Sequence, residues 1–130
     1  MILMKENIKK RWIEALCSGK YKKGEESLYN ADFGAHCALG VLCELAVEDG
    51  VTERHDHQHG GPSFYGKDGN GSDSILPPEV VEWAGLDSPS PVVSYADDFN
   101  DGETQFFTVS EMNDMGASFE YIAEKIEAEE

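Results

Sequence analysis

Apolar positions along the chain change period several times, and each change marks an element. Ile8, Trp12, Ala15 and Leu16 fall at i, i+4, i+7 and i+8, which predicts an amphipathic helix from about Asn7 to Ser18. Asn7 is its expected cap and Gly19 its stop. Lys9, Lys10 and Arg11 lie largely off that stripe and read as a solvated face. Residues 20–31, around Gly24, read as an extended turn region. From about Phe33 to Val47 the apolar residues Cys37, Ala38, Leu39, Val41, Leu42, Cys43, Leu45 and Ala46 leave almost no polar face, which predicts the central buried helix. Gly40 costs such a helix about 1 kcal/mol against alanine, and a close neighbouring backbone would explain the choice.

Residues 48–75 read as a long polar excursion with glycines at 50, 60, 61, 69 and 71. A connection of more than ~15 residues inside a compact domain is usually functional or mobile. Pro77-Pro78 opens a short helix over Pro78 to Ala84, stopped by Gly85. Pro91-Val92-Val93 and Thr104 to Val109 predict two short strands, with Asn100-Asp101-Gly102 as a turn signal between them. Ser110 is the expected cap of a helical turn ending near Gly116. Ser118 is the expected cap of a last helix carrying the stripe Phe119, Ile122, Ala123 and Ile126, and the tail 127–130 is read as solvated and acidic. These elements predict an α+β fold: one small domain over 1–130, a mostly helical core, and a short antiparallel hairpin or small sheet. Trp12, Trp83 and Phe119 are expected to pack on the central helix.

The length of 130 residues suits one domain. The longest unbroken run of apolar or small residues, Cys37 to Cys43, is far short of the ~18 a membrane span needs. The start Met1-Ile2-Leu3-Met4-Lys5 is too short for a signal-peptide apolar region, so a cytoplasmic location is expected. Three cysteines, Cys17, Cys37 and Cys43, make a disulfide framework improbable, and Cys37 and Cys43 read as small buried hydrophobes.

Charge alters the picture most. Twenty-six acids against ten bases give a net charge of -16. Residues 1–23 hold seven of the bases and two acids, a surplus of five positive charges, which leaves -21 on residues 24–130. Direct binding to nucleic-acid phosphates is disfavoured, because it draws its affinity from Lys and Arg. A basic partner or a metal cation fits better.

Several segments together resemble a family of small uncharacterised proteins frequent in tailed bacteriophages. They are Trp12-Ile13-Glu14-Ala15-Leu16, Ser18-Gly19-Lys20-Tyr21 with Gly24, Cys37-Ala38-Leu39-Gly40-Val41-Leu42-Cys43, and Asn113-Asp114 to Gly116 with Ser118-Phe119 and Ile122-Ala123. Leu76-Pro77-Pro78-Glu79-Val80 with Trp83-Ala84-Gly85-Leu86 sits where that family carries a proline-opened segment. Ala38 stands where the family often has another cysteine, which weakens any paired-thiol chemistry. The resemblance implies a phage-encoded accessory protein and no particular activity.

Candidate chemistry is sparse. His55, His57 and His59 at i, i+2, i+4 would project to one side of an extended chain and form a candidate zinc or nickel site. The competing reading is a solvated loop with adventitious metal affinity. Asp97, Asp98, Asp101 and Glu103 crowd around a turn, but in EF-hand register Phe99 and Thr108 occupy ligand positions, so calcium is not expected. Asn113-Asp114-Met115-Gly116 reads as a helix stop rather than as the seat of a catalytic carboxylate. His36 reads as a helix residue beside the cysteines, and no nucleophile-base arrangement stands out.

Two functions follow as expectations. The first is a non-enzymatic phage protein that binds a basic host factor handling nucleic acid or defence, by acidic mimicry of a duplex, with Asp97, Asp98, Asp101 and Glu103 as binding residues and no cofactor. The alternative is a small-ligand-binding or metal-dependent enzyme using the His55, His57 and His59 loop. Acidity kept only for solubility is the bland reading beside both.

Overall fold

The computed structural model describes residues 4–25, 27–56, 60–67, 72–96 and 104–128. Helix α1 (Glu6–Cys17) buries Ile8, Trp12 and Leu16, the stripe expected from its period. It starts one residue earlier than expected: Asn7 is inside the helix and Lys5 is the N-cap, without a side-chain bond. The Lys5 N–H instead donates to the carbonyl of Ala84 at 2.7 Å.

Three two-residue strands follow, β1 (Lys22–Lys23), β2 (Tyr29–Asn30) and β3 (Ala35–His36), where the sequence had predicted a turn region and the start of a helix. Gly34 takes φ 61°, a left-handed conformation, and Cys37 stays extended. The central helix α2 (Ala38–Glu48) therefore begins five residues later than expected, and His36 lies in a strand.

The segment 48–75, expected as one polar loop, contains β4 (Arg54–His55) and β5 (Pro62–Tyr65). These join the first three strands in a five-stranded mixed sheet of order β1-β3-β2-β5-β4. β1 runs parallel to β3, and the other pairings are antiparallel. Thr52, Ser63 and Tyr65 are buried, which a solvated excursion would not provide.

Helix α3 (Pro78–Ala84) has its expected bounds, with Gly85 left-handed at φ 75°. Strands β6 (Val92–Ala96) and β7 (Thr104–Thr108) pair antiparallel from Val92 with Thr108 to Ala96 with Thr104, the expected hairpin. Helix α4 (Val109–Asp114) follows directly. Its cap is Thr108 rather than Ser110, in a capping box with Glu111. Ser118 precedes α5 (Phe119–Ala128) and accepts the Tyr121 N–H at 3.1 Å, as a cap should.

The architecture is α+β. One core cluster joins α1, α2, α3, α4 and α5 with Tyr65 of β5 and with Leu28 and Leu76 from the connecting segments. α1 packs most extensively along α5, and α2 lies between α1, α3 and α4. Trp12 is fully buried and its indole donates to the Ala38 carbonyl at 2.9 Å, so it reaches the central helix as expected. Phe119 is buried too, whereas Trp83 is only partly buried at the edge of the cluster. Gly40 has the neighbour its presence implied: a Cβ there would collide with the Leu28 carbonyl oxygen and lie 2.7 Å from its carbon. No helix among the described residues is long and apolar enough to cross a membrane.

Candidate functional site

The four acids singled out in the sequence, Asp97, Asp98, Asp101 and Glu103, lie outside the described residues, as do His57 and His59. What is described is the frame around the acids. β6 and β7 close on one another at the Ala96–Thr104 pair, and the other end of the hairpin is pinned where the Val109 N–H donates to the Pro91 carbonyl at 2.9 Å.

His55 sits in β4. Its Nε2 donates to the Gly66 carbonyl at 2.9 Å, and its ring stacks on Phe64 with centroids 4.9 Å apart. With a carbonyl as the acceptor, Nε2 is the donor of that bond. Its neighbour Asp56 accepts from Ser63 Oγ and from Arg54 Nε, the latter at 3.1 Å. Among the described residues no three His, Cys, Asp or Glu side chains come together to hold a metal ion.

A different group of side chains converges on Glu44 of α2. One oxygen, Oε1, accepts from Arg54 at 2.8 Å, from the Tyr65 hydroxyl at 2.8 Å and from His36 Nε2 at 3.2 Å. The aromatic rings close around it. His36 lies 4.4 Å from Tyr29 and edge-on to Tyr21 at 5.2 Å, and the Arg54 guanidinium sits 4.5 Å over the Tyr29 ring. Burial alone would raise the Glu44 pKa, but the three donors outweigh it and hold the carboxyl at about 2. Burial, and then the charge of Glu44, push the Tyr65 hydroxyl well above its usual value.

The consequence is chemical. A carboxylate held at about 2 is a very weak base near neutrality, and a phenol pushed upward does not ionise there. Burial likewise raises the thiols of Cys37 and Cys43, which removes their nucleophilic form. The three hydrogen bonds to Glu44 tie β3, α2, β4 and β5 together. Composition offered one signal for this cluster: Glu44 is the single charged residue between Cys37 and Val47. Its three partners, at 36, 54 and 65, are scattered and gave none.

Asn113 also has a different role from the one its sequence suggested. It is fully buried. Its Oδ1 accepts the Ala38 N–H at 3.1 Å, and its Nδ2 donates to the Gly24 carbonyl at 2.8 Å. Lys23 Nζ reaches the Asn113 carbonyl at 2.9 Å. Cys37, the residue preceding α2, supplies no side-chain bond, so Asn113 caps that helix from α4. The helix stop expected at Gly116 is also present, with φ 97°.

No curated protein and no solved structure matches the chain. A family model does, over residues 4–130, and so nearly the whole fold described above. The chain belongs to the family described as Domain of unknown function (DUF8296).

Proposed function

We propose that this is a phage-encoded, non-enzymatic accessory protein that binds and inhibits a basic host protein handling nucleic acid or defence, in the host cytoplasm, through an acidic surface that imitates a nucleic acid. The observation that carries the reading is the β6–β7 hairpin, whose closing pair is Ala96 with Thr104. Asp97, Asp98, Asp101 and Glu103 occur in the seven residues between those two positions, so four acids share one short covalent connection anchored on a paired frame.

The distribution of bases supports it. Arg11 is engaged by Asp49 at 2.8 Å, Arg54 by Glu44 at 2.8 Å, and Lys23 by the Asn113 carbonyl at 2.9 Å. Three of the ten bases are thus engaged within the chain, which keeps its net charge of -16. Glu120, Glu124 and Glu127 are exposed along α5, at the spacing of a single helix face. Exposed charge of this kind acts within ~8 Å at physiological salt, so it favours a partner that makes close contact.

The test is capture from a host lysate at low and high salt, with wild type beside a variant carrying Asp97→Asn, Asp98→Asn, Asp101→Asn and Glu103→Gln. The expected result is a basic protein retained at low salt and released at high salt, with retention weakened in the variant, chiefly through the association rate. Full retention by the variant with unchanged salt dependence would refute the assignment of these four residues.

A further inference from the structure

We propose that a groove beside α3 docks a short segment of the basic partner, one presenting lysine or arginine next to aliphatic side chains. The inference rests on the reading that the partner is basic, and it adds a second contact distinct from the hairpin.

The groove has a volume of about 940 Å³, at the upper end of the ~300 to 1,000 Å³ typical of ligand clefts. Its apolar lining includes Ile75, Pro78, Val81 and Pro89. Ile75 is 44% exposed, a large aliphatic side chain left open to water.

Glu79 and Glu82 lie three residues apart on α3 and both line the groove. Glu79 Oε2 accepts from Thr52 Oγ1 at 3.0 Å and from the Lys67 N–H at 3.1 Å. Both donors are neutral, so the carboxylate is held in place without a cationic partner. No cation among the described residues forms an ion pair with either glutamate. Lys67 is the one base in the lining, which leaves the groove with a negative balance inside a chain of net charge -16.

Those features select the occupant. Apolar walls exclude water and strengthen the field of the two carboxylates. An anion is repelled, and a neutral apolar segment leaves the carboxylates uncompensated. Lysine and arginine satisfy both parts of the site, because their aliphatic stems lie along apolar surface while the charged head reaches a carboxylate.

The probe is a fluorescein-labelled peptide alternating leucine and lysine, measured by fluorescence polarisation on the full chain. Leucine–serine and leucine–glutamate peptides are the controls. The leucine–lysine peptide should bind at least about tenfold more tightly than either control. Ile75→Ser and the pair Glu79→Gln with Glu82→Gln should each weaken it by a similar factor. Glu79 also holds Thr52 and Lys67, so Glu82→Gln alone, with circular dichroism, guards against a folding defect. Equal binding of the three peptides, or binding unchanged in the folded variants, overturns the proposal.

The two ideas separate cleanly. Under this proposal the fourfold hairpin variant binds the peptide as wild type does. Salt-sensitive lysate capture without any peptide binding removes the groove and leaves the hairpin reading standing. Groove-dependent peptide binding with no basic protein captured supports the groove and counts against the proposed function.

Discussion

Asn113 and Ala38 stand 75 residues apart in sequence, and the side-chain carbonyl of the first accepts the backbone N–H of the second at 3.1 Å. The same amide group donates to the Gly24 carbonyl at 2.8 Å, so one buried residue joins α4, the start of α2 and the segment after β1. Replacing Asn113 by alanine strands a helix-terminal donor and a loop carbonyl in the interior. We expect a loss of about 2 to 4 kcal/mol, read from the urea midpoint, because each orphaned buried group costs about 1 to 3 kcal/mol. Asn113→Asp keeps an acceptor for Ala38 but turns a carboxylate oxygen towards Gly24, and it should be destabilising as well. A midpoint unchanged in both variants would disprove the clamp.

Gly40→Ala provides a test with opposing terms. Helix propensity alone favours alanine by about 1 kcal/mol. The new methyl would collide with the Leu28 carbonyl oxygen, which is backbone and cannot rotate aside. The Leu28 N–H donates to Asp73 and its carbonyl accepts from Cys37, so moving it disturbs two further bonds. We expect net destabilisation in thermal melts. A gain in stability would mean that the contact relaxes freely.

Acid should act through Glu44. Its carboxyl is at about 2 in the fold against 4.5 in the open chain. The ionised form therefore stabilises the protein at every pH above 4.5, and that contribution is lost as pH falls from about 4.5 towards 2. Its size is on the order of 3 kcal/mol from the linkage relation. Glu44→Gln should lower stability at neutral pH and flatten the acid limb of the stability curve relative to wild type. Parallel acid limbs in the two proteins would contradict this.

The three thiols should differ sharply. Cys17 is exposed at the end of α1, whereas Cys37 and Cys43 are buried with their pKa values raised by that burial. A thiol reagent at neutral pH should label one cysteine quickly in the native protein and all three after unfolding. Rapid native labelling of Cys37 or Cys43 would contradict the packing of α2.

The elements that could be read from the sequence are those with period and punctuation. α1 and α5 carry full apolar stripes, α3 is bracketed by Pro78 and Gly85, and Gly40 in a buried helix correctly implied a backbone against it. Strands of two residues have no period, so β1 to β4 were invisible and 48–75 looked like a loop. The start of α2 was misplaced because Phe33 and Cys37 extended its apolar pattern, while Gly34 and the extended Cys37 set the true boundary. Glu44 and Asn113 escaped for a common reason: their partners come from distant segments, and a single polar residue among apolar neighbours does not announce which donors will reach it.

The contact between α1 and α5 has a consequence for how the molecule is made. Ribosomes deliver α1 well before α5, so α1 has no wall on that side until the segment ending near Ile126 has emerged. Until then that side of α1 is open to chaperones and to other nascent chains. A polypeptide lacking the segment from Phe119 would leave that side of the first helix without its α5 wall.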